Sequence, residues 1–374
     1  MRYPLPVFWR IVLSPFSVIY QVVVWIRNWL YDIEVFPVHE FEVPVIAVGN
    51  LTVGGTGKTP HVEYLVKLLR EHYGVAVLSR GYRRKTKGFL VAGPETSVEE
   101  IGDEPWQIHH KFPDVKVIVD EKRVRALRRI EQEMDDVQVV ILDDAFQHRA
   151  VKPGISILLI EYDLPLAREF YLPAGRMRES RHEKKRADIV IFTKCPERLK
   201  PIEERIRVKQ FNPFPYQQVY FTRLVYGELT PLFPQEGIRR PDPASFRRNH
   251  DTVIAVSGIA NPAPFHKYLQ QYTDRLRVAT FPDHHPFRKK DLLHIGGLAD
   301  RDHPEKNFYI TTEKDAARLR ALPQELFPQP ERWFYLPVEV AVLQESEREE
   351  FENKILEYVK NNQRKRRLHQ GSDR

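Results

Sequence analysis

One cysteine, Cys195, occurs in 374 residues, which excludes an intramolecular disulfide and any multi-cysteine metal site and suits a reducing compartment. Its simplest reading is a packed residue at a strand end. Charge-free sequence is also scarce. The apolar run IVLSPFSVIYQVVVWI, Ile11 to Ile26, falls short of the roughly 20 residues a membrane-spanning helix needs, and Pro15 interrupts it. No small-residue cleavage site of the leader-peptide kind follows, so export is not expected. Internal repeats and low-complexity tracts are missing, as is any nucleic-acid reader motif with basic residues and stacking aromatics on one element. Acidic residues are outnumbered, 51 against 58 Lys and Arg, for a net charge of +7. The surface therefore favours an anionic partner: a membrane, a phosphorylated substrate or nucleic acid.

What is present starts with the N-terminal segment, residues 1–35. Phe8, Trp9 and Trp25, together with Arg2, Arg10 and Arg27, fit a helix lying in a lipid interface. A helix packed on its own domain or a true span are the alternatives. Beyond it, short apolar runs alternate with helical patterns, so an α/β fold with a mainly parallel sheet is expected. Candidate strands are 43–48, 74–79, 115–119, 137–142, 155–160 and 188–193. Val62, Leu65, Val66 and Leu69 recur at helical spacing and predict an amphipathic helix over 59–73. These elements define a first domain at 36–212. Residues 213–250, rich in Pro, Arg and aromatics, read as a linker with extended strands. A second, smaller α/β domain spans 251–345, with strands expected at 252–257, 277–280, 307–311 and 333–336. Residues 346–374 read as a C-terminal helix and basic tail, disordered by default beyond Val359.

The strand VPVIAVGN runs directly into LTVGGTGKTP. Strand, glycine loop and helix in that order converge backbone N–H groups on phosphate oxygens. This is the pattern of a P-loop NTPase-like sheet sandwiched by helices. Thr52, Val53, Gly54, Gly55, Thr56, Gly57, Lys58 and Thr59 would cradle a nucleotide, Lys58 on the β and γ phosphates and Thr59 on magnesium. Thr52 stands where the full motif has glycine. A second strand, VQVVILDD, ends in Asp143 and Asp144, carboxylates suited to reach Mg2+ directly or through water. In TKCPE, at 193–197, Pro196 replaces the aspartate that guanine readers carry, so ATP is favoured over GTP. The extra lysine that partitioning ATPases carry near Val53 is also missing.

Further polar clusters fall at strand ends, where open α/β sheets bind ligands: SRGYRRK, GDEP, DDAFQHR, LPAGRMRE and FPDHHPF. Taken in order with the glycine loop, this set resembles the tetraacyldisaccharide 4'-kinase family of lipid A biosynthesis. The resemblance covers about residues 3 to 319. It implies transfer of the ATP γ-phosphate to the 4'-hydroxyl of a tetraacylated glucosamine disaccharide 1-phosphate, giving lipid IVA. It also implies a peripheral or monotopic enzyme on the cytoplasmic side of the inner membrane, with an anionic acylated substrate and no nucleic-acid partner. A monomer is expected. By the same resemblance Asp103 is the carboxylate that accepts the acceptor proton, and His284 pairs with it, tuned by Asp283. Glu104 would join Asp143 and Asp144 on the metal. Arg80, Arg123, Gln147, His148 and Arg176 would contact phosphate or substrate. From the residues alone, Asp283 could instead cap a helix running through Pro286 and Asp291. Ala145 stands where the family commonly has glycine, a place where a positive φ would be disfavoured.

Two other readings remain at the level of sequence. Another small-molecule P-loop kinase or ligase would keep full activity without residues 1–31. A nucleotide-switched binding protein would bind nucleic acid in a salt-dependent way.

Overall fold

The structure, a computed structural model, describes residues 6–372 apart from 165, 167, 168, 235, 236 and 238, with side chains as far as Arg364. Arg2 and the last two residues of the tail lie outside the described residues. The strands are β1 Val45–Asn50, β2 Val75–Ser79, β3 Leu90–Val91, β4 Lys116–Val119, β5 Val139–Leu142, β6 Ile155–Glu161 and β7 Ile189–Thr193, then β8 Gln218–Tyr226, β9 Thr230–Pro231, β10 Thr252–Ser257, β11 Leu276–Thr280, β12 Asn307–Thr312, β13 Trp333–Leu336 and β14 Val338–Val342. The helices are α1 Val7–Asp32, α2 Lys58–Arg70, α3 Val98–Ile101, α4 Asp103–Lys111, α5 Arg123–Glu133 and α6 Pro201–Phe211, then α7 Pro243–Arg248, α8 Ala263–Gln270, α9 Lys289–Gly296, α10 Glu313–Leu319 and α11 Glu345–Ser372.

The chain divides into two compact units, one of residues 1–95, 108–224 and 340–374, the other of residues 96–107 and 225–339. In the first, nine strands run in the order β14-β8-β7-β6-β1-β5-β2-β4-β3. All pairs from β8 to β4 are parallel, and β3 closes the edge antiparallel. Because β1 lies between β5 and β6, successive connections depart to opposite sides of it. That reversal opens a crevice at its carboxyl end.

Side chains alternate along β1: Ile46 and Val48 join a core with α2 and α11, while Val45 and Ala47 join one with α5. The expected stripe Val62, Leu65, Val66 and Leu69 is the buried face of α2. The tail read as disordered beyond Val359 instead continues as α11, because Phe351, Ile355 and Val359, four apart, pack into the same core. Cys195 is buried, and burial pushes its thiol up to about 12.

The second unit carries five strands in the order β11-β10-β12-β13-β9, parallel except for β9. Apolar side chains cover both its faces, Ile254 and Val256 on one side, Val253 and Ala255 on the other.

Pro15 does not interrupt the N-terminal helix. Proline leaves the Ile11 carbonyl without its helical N–H donor, and the Ser14 hydroxyl donates to that oxygen at 2.8 Å. The result is a 26-residue helix, long and apolar enough to cross a membrane by length and composition.

Candidate active site

The glycine loop leaves the buried end of β1. Gly57 caps α2 at φ +87° and Gly54 sits at +117°, conformations that side-chain-bearing residues rarely adopt. Thr52, lacking the motif's glycine, is buried and bridges antiparallel to Met177. Its neighbour Val53 donates its N–H to the Arg176 carbonyl at 2.7 Å. Three buried polar side chains brace the loop from below. The Asn50 amide donates to the Thr56 hydroxyl at 2.8 Å, and the Thr193 hydroxyl donates to the Thr56 carbonyl at 2.8 Å. His61 holds the Gly57 carbonyl through Nδ1 at 2.7 Å, with Nε2 3.0 Å from the Thr222 hydroxyl. A carbonyl can only accept, so Nδ1 carries the proton and Thr222 donates to Nε2.

Burial pushes the His61 imidazole down to about 4, against the opposing pull of the Gly57 carbonyl. The folded state therefore binds fewer protons than the unfolded chain between pH 6.5 and about 4. Stability is fully present above 6.5 and declines as pH falls toward 4, by on the order of 3 kcal/mol from this group. Chemical denaturation from pH 7 to 4.5 should show that slope, and His61→Asn, whose amide can still donate to Gly57, should flatten it. An unchanged slope would remove His61 as its source. His148, pushed to about 4 by burial and by the nearby Arg123 and Arg80 charges, adds to the wild-type slope.

Lys58 and Thr59 open α2. The Lys58 ammonium stands 3.5 Å from the Asp144 carboxylate, which also accepts two bonds from Arg178, at 2.9 and 3.2 Å. Burial works against ionisation of Asp144, but Lys58 and Arg178 outweigh it and hold the carboxyl below its usual range. Asp144 takes the left-handed φ of +49°, which aspartate tolerates better than most residues. Ala145 is not among the positive-φ residues, so its methyl costs nothing there. The tight fit lies opposite: a Cβ on Gly49 would meet Phe146 at 2.6 Å.

Asp143 is buried and accepts from the Ser79 hydroxyl at 3.3 Å, while Arg123 donates to the Asp143 carbonyl at 3.1 Å and the Asp120 carbonyl at 2.6 Å. Burial pushes the Arg123 guanidinium down to about 10. Gln147 donates to the Asn50 carbonyl at 2.6 Å, and Arg80 is exposed just past β2. Arg176 meets Glu169 at 3.5 Å and Glu161 at 3.8 Å, whereas its neighbour Arg178 reaches the aspartate. The motif LPAGRMRE held both arginines, and nothing in it ranks one over the other.

The second unit holds its own cluster. Asp103 is the first residue of α4, and its Oδ2 accepts from His284 Nδ1 at 3.0 Å and Arg318 Nε at 2.9 Å. Burial opposes ionisation, yet His284 and Arg318 together hold the carboxyl below its ordinary value. Arg318 is fixed from behind by the fully buried Asp315 at 2.8 Å. His284 sits at φ +59° with Lys314 3.4 Å from its Nε2, and Lys314 also pairs with Glu104 at 3.4 Å. Asp283 lies 3.9 Å from the ring. It does not cap the helix after it: the N-cap of α9 is Arg288, whose backbone N–H donates to the Asp291 carboxylate at 2.8 Å. Lys314 and Arg318 escape sequence reading because they occupy one face of α10, and only the fold brings that face to Asp103.

A glycine loop at the carboxyl edge of a parallel sheet, with a lysine facing an aspartate just past the end of the adjoining strand, defines a P-loop phosphotransferase. The family model of tetraacyldisaccharide-1-P 4'-kinase matches residues 9–360, and the chain belongs to that family. It is 46% identical over 362 residues to the tetraacyldisaccharide 4'-kinase of Bacteroides thetaiotaomicron, covering 94% of each chain. It is 45% identical over 354 residues to the enzyme of the same name from Phocaeicola vulgatus, covering 94% of this chain and 96% of that one. Among solved structures it resembles LpxK from Aquifex aeolicus in complex with ATP, with a TM-score of 0.71 and 30% identity over 94% of this chain and 99% of that one.

Proposed function

We propose that this chain transfers the γ-phosphate of ATP to the 4'-hydroxyl of tetraacyldisaccharide 1-phosphate, forming lipid IVA in lipid A biosynthesis. The observation that carries this reading beyond nucleotide binding is the Asp103 cluster. A glycine loop serves any nucleotide enzyme, whereas a carboxylate kept ionised by His284 and Arg318 is what an alcohol acceptor requires. Oδ2 already accepts two bonds, so Oδ1 takes the hydroxyl proton as the oxygen bonds to the γ-phosphorus and the bond to ADP breaks.

On the donor side, Lys58 and Arg178 sit on one carboxylate and are poised to neutralise phosphate charge, and the N-terminus of α2 adds its N–H groups. Among the described residues no group of three His, Cys, Asp or Glu could hold a metal by itself. Thr59, the buried Asp143 and the half-buried Asp144 are the residues that would hold magnesium, where it would offset charge on the transferring group.

The acceptor is an anionic glycolipid, met at the cytoplasmic face of the inner membrane by a monomer. On α1, Val7, Phe8, Ile11, Phe16, Ile19, Val23 and Trp25 are exposed. The opposite stripe is tied to the first unit from Ser17 to Asp32, and Arg10 stacks on the Phe170 ring. A helix bound to its own domain along that length lies in the lipid surface more readily than across it. Replacing Phe16 and Ile19 by serine should lower partition onto anionic vesicles at least tenfold, since each buried apolar side chain contributes roughly 1.5–3 kcal/mol. Flotation measures it, and unchanged partition would sink the interfacial placement.

The activity is tested with radiolabelled ATP and purified disaccharide 1-phosphate in detergent. ATP hydrolysis without phosphorylation of the disaccharide would overturn the acceptor assignment. Full activity on a soluble acceptor without residues 1–31 would favour a different small-molecule kinase.

A further inference from the structure

The polar stripe of α1 does not end on an inert surface. Ser17 accepts from the Ala174 N–H at 3.0 Å and donates to the Tyr171 carbonyl at 3.0 Å. Tyr20 donates to the Arg178 carbonyl at 3.1 Å. Arg27 and Asn28 both bond the carboxylate of Glu179, Asn28 at 2.7 Å, and Glu179 is wholly buried. Ser17, Tyr20, Val24, Asn28 and Tyr31 recur at helical spacing, so these ties share one face.

The strip they hold, Arg176 to Glu179, is the one that borders the glycine loop. Arg178 and Glu179 donate their N–H groups to the Leu51 carbonyl at 2.8 and 3.4 Å, and the Arg176 carbonyl accepts from Val53 at 2.7 Å. From the same strip Arg178 reaches Asp144. A second tie leaves the loop that follows Asp144: Arg149 donates to the Asn28 carbonyl at 2.8 Å and to Asp32 at 2.5 Å. Both segments that flank the phosphate site therefore rest on α1.

We propose that α1 is a wall of the nucleotide site as well as a lipid contact, and that Glu179 is the positioning residue that transmits its docking. With the helix seated, the buried Glu179 carboxylate has its cation and its amide donor, and the strip is held where Arg178 meets Asp144. Without those partners the carboxylate seeks water, and the strip and the first arm of the loop move with it. This inference rests on the ATP reading above and concerns the donor side of the reaction, not delivery of the lipid.

The test uses the full chain in detergent, with equilibrium ATP binding, kcat, both KM values and vesicle partition measured together. Asn28→Ala and Glu179→Ala should weaken ATP binding and lower kcat by about two- to thirtyfold, with Tyr20→Phe at the small end of that range. Partition and acceptor KM should stay within about twofold of wild type, below the smallest coupling loss expected on the ATP side. Glu179→Gln, which still accepts from Asn28, should recover part of the loss. The double variant Asn28→Ala/Glu179→Ala should be no worse than Glu179→Ala alone. Val23→Ser, on the exposed face, should reduce partition only. If Glu179→Ala fails to fold, Asn28→Ala and Tyr20→Phe carry the test from the helix side. Wild-type ATP binding and kcat in these two would overturn the proposal and leave α1 as an anchor. A wild-type protein that binds no ATP would instead overturn the kinase reading itself.

Discussion

Asp103→Asn is expected to lower kcat for phosphorylation of the disaccharide by about 10²–10⁴-fold, the usual worth of a positioned base, with ATP binding unchanged. Asparagine keeps an oxygen where Oδ2 stands, so His284 and Arg318 can still donate to it and the cluster keeps its packing. What disappears is the negative charge that takes the hydroxyl proton. Because His284 and Arg318 outweigh burial, the Asp103 carboxyl titrates below its usual value. Turnover limited by Asp103 should therefore be lost only as pH falls below the ordinary carboxylate range. Arg318→Gln removes one of the two groups holding it there and should move that acid limb upward. A pH–rate profile of the two variants beside wild type, with melting curves to confirm folding, decides the matter. Equal rates for Asp103→Asn and wild type would take Asp103 out of the chemistry.

Lys58→Met should cut kcat by about 10²–10³-fold, the typical cost of deleting one donor that stabilises transition-state charge, while ATP binding weakens less. The reason for the split is that the backbone N–H groups of the glycine loop and α2 remain in place to hold the ground-state phosphates. The lysine contributes most where charge builds on the transferring group. Methionine preserves the length of a side chain that is only 11% exposed, and Asp144 keeps Arg178, so the site is not left with a bare buried charge. Lys58→Arg should not rescue, since a planar fork directs its donors differently from a compact ammonium. Single-turnover rates and equilibrium ATP binding separate the two effects. Weakened ATP binding with an unchanged single-turnover rate at saturating ATP would mean that Lys58 acts through binding alone.

Much of both units could be read from the chain because their signals are local. Apolar runs foretold β6 at Ile155 and β10 over Thr252–Ser257, and helical spacing foretold the buried face of α2. The glycine loop was legible for the same reason: its geometry is set within a few residues, by Gly54 and Gly57 at positive φ and by a helix that begins at Lys58. Local reading failed where a neighbour intervened. Pro15 predicts a break, but the Ser14 hydroxyl satisfies the freed carbonyl. The basic tail predicts disorder, but three apolar residues spaced four apart give α11 a core to join.

By itself the sequence determined the sheet, the glycine loop and the aspartates that follow β5, and the family resemblance implied the pairing of Asp103 with His284. Each of these is written in a contiguous pattern or in a motif that a family resemblance carries whole. Only the tertiary structure decided that Arg178, not Arg176, meets Asp144 across 34 positions, and that Arg318 meets Asp103 across 215. It alone decided that the polar stripe of an apolar helix grips Glu179, 151 positions away. The physical reason is common to all three. A charged side chain is placed by the partner that offsets its desolvation, and that partner is chosen by the packing of distant segments.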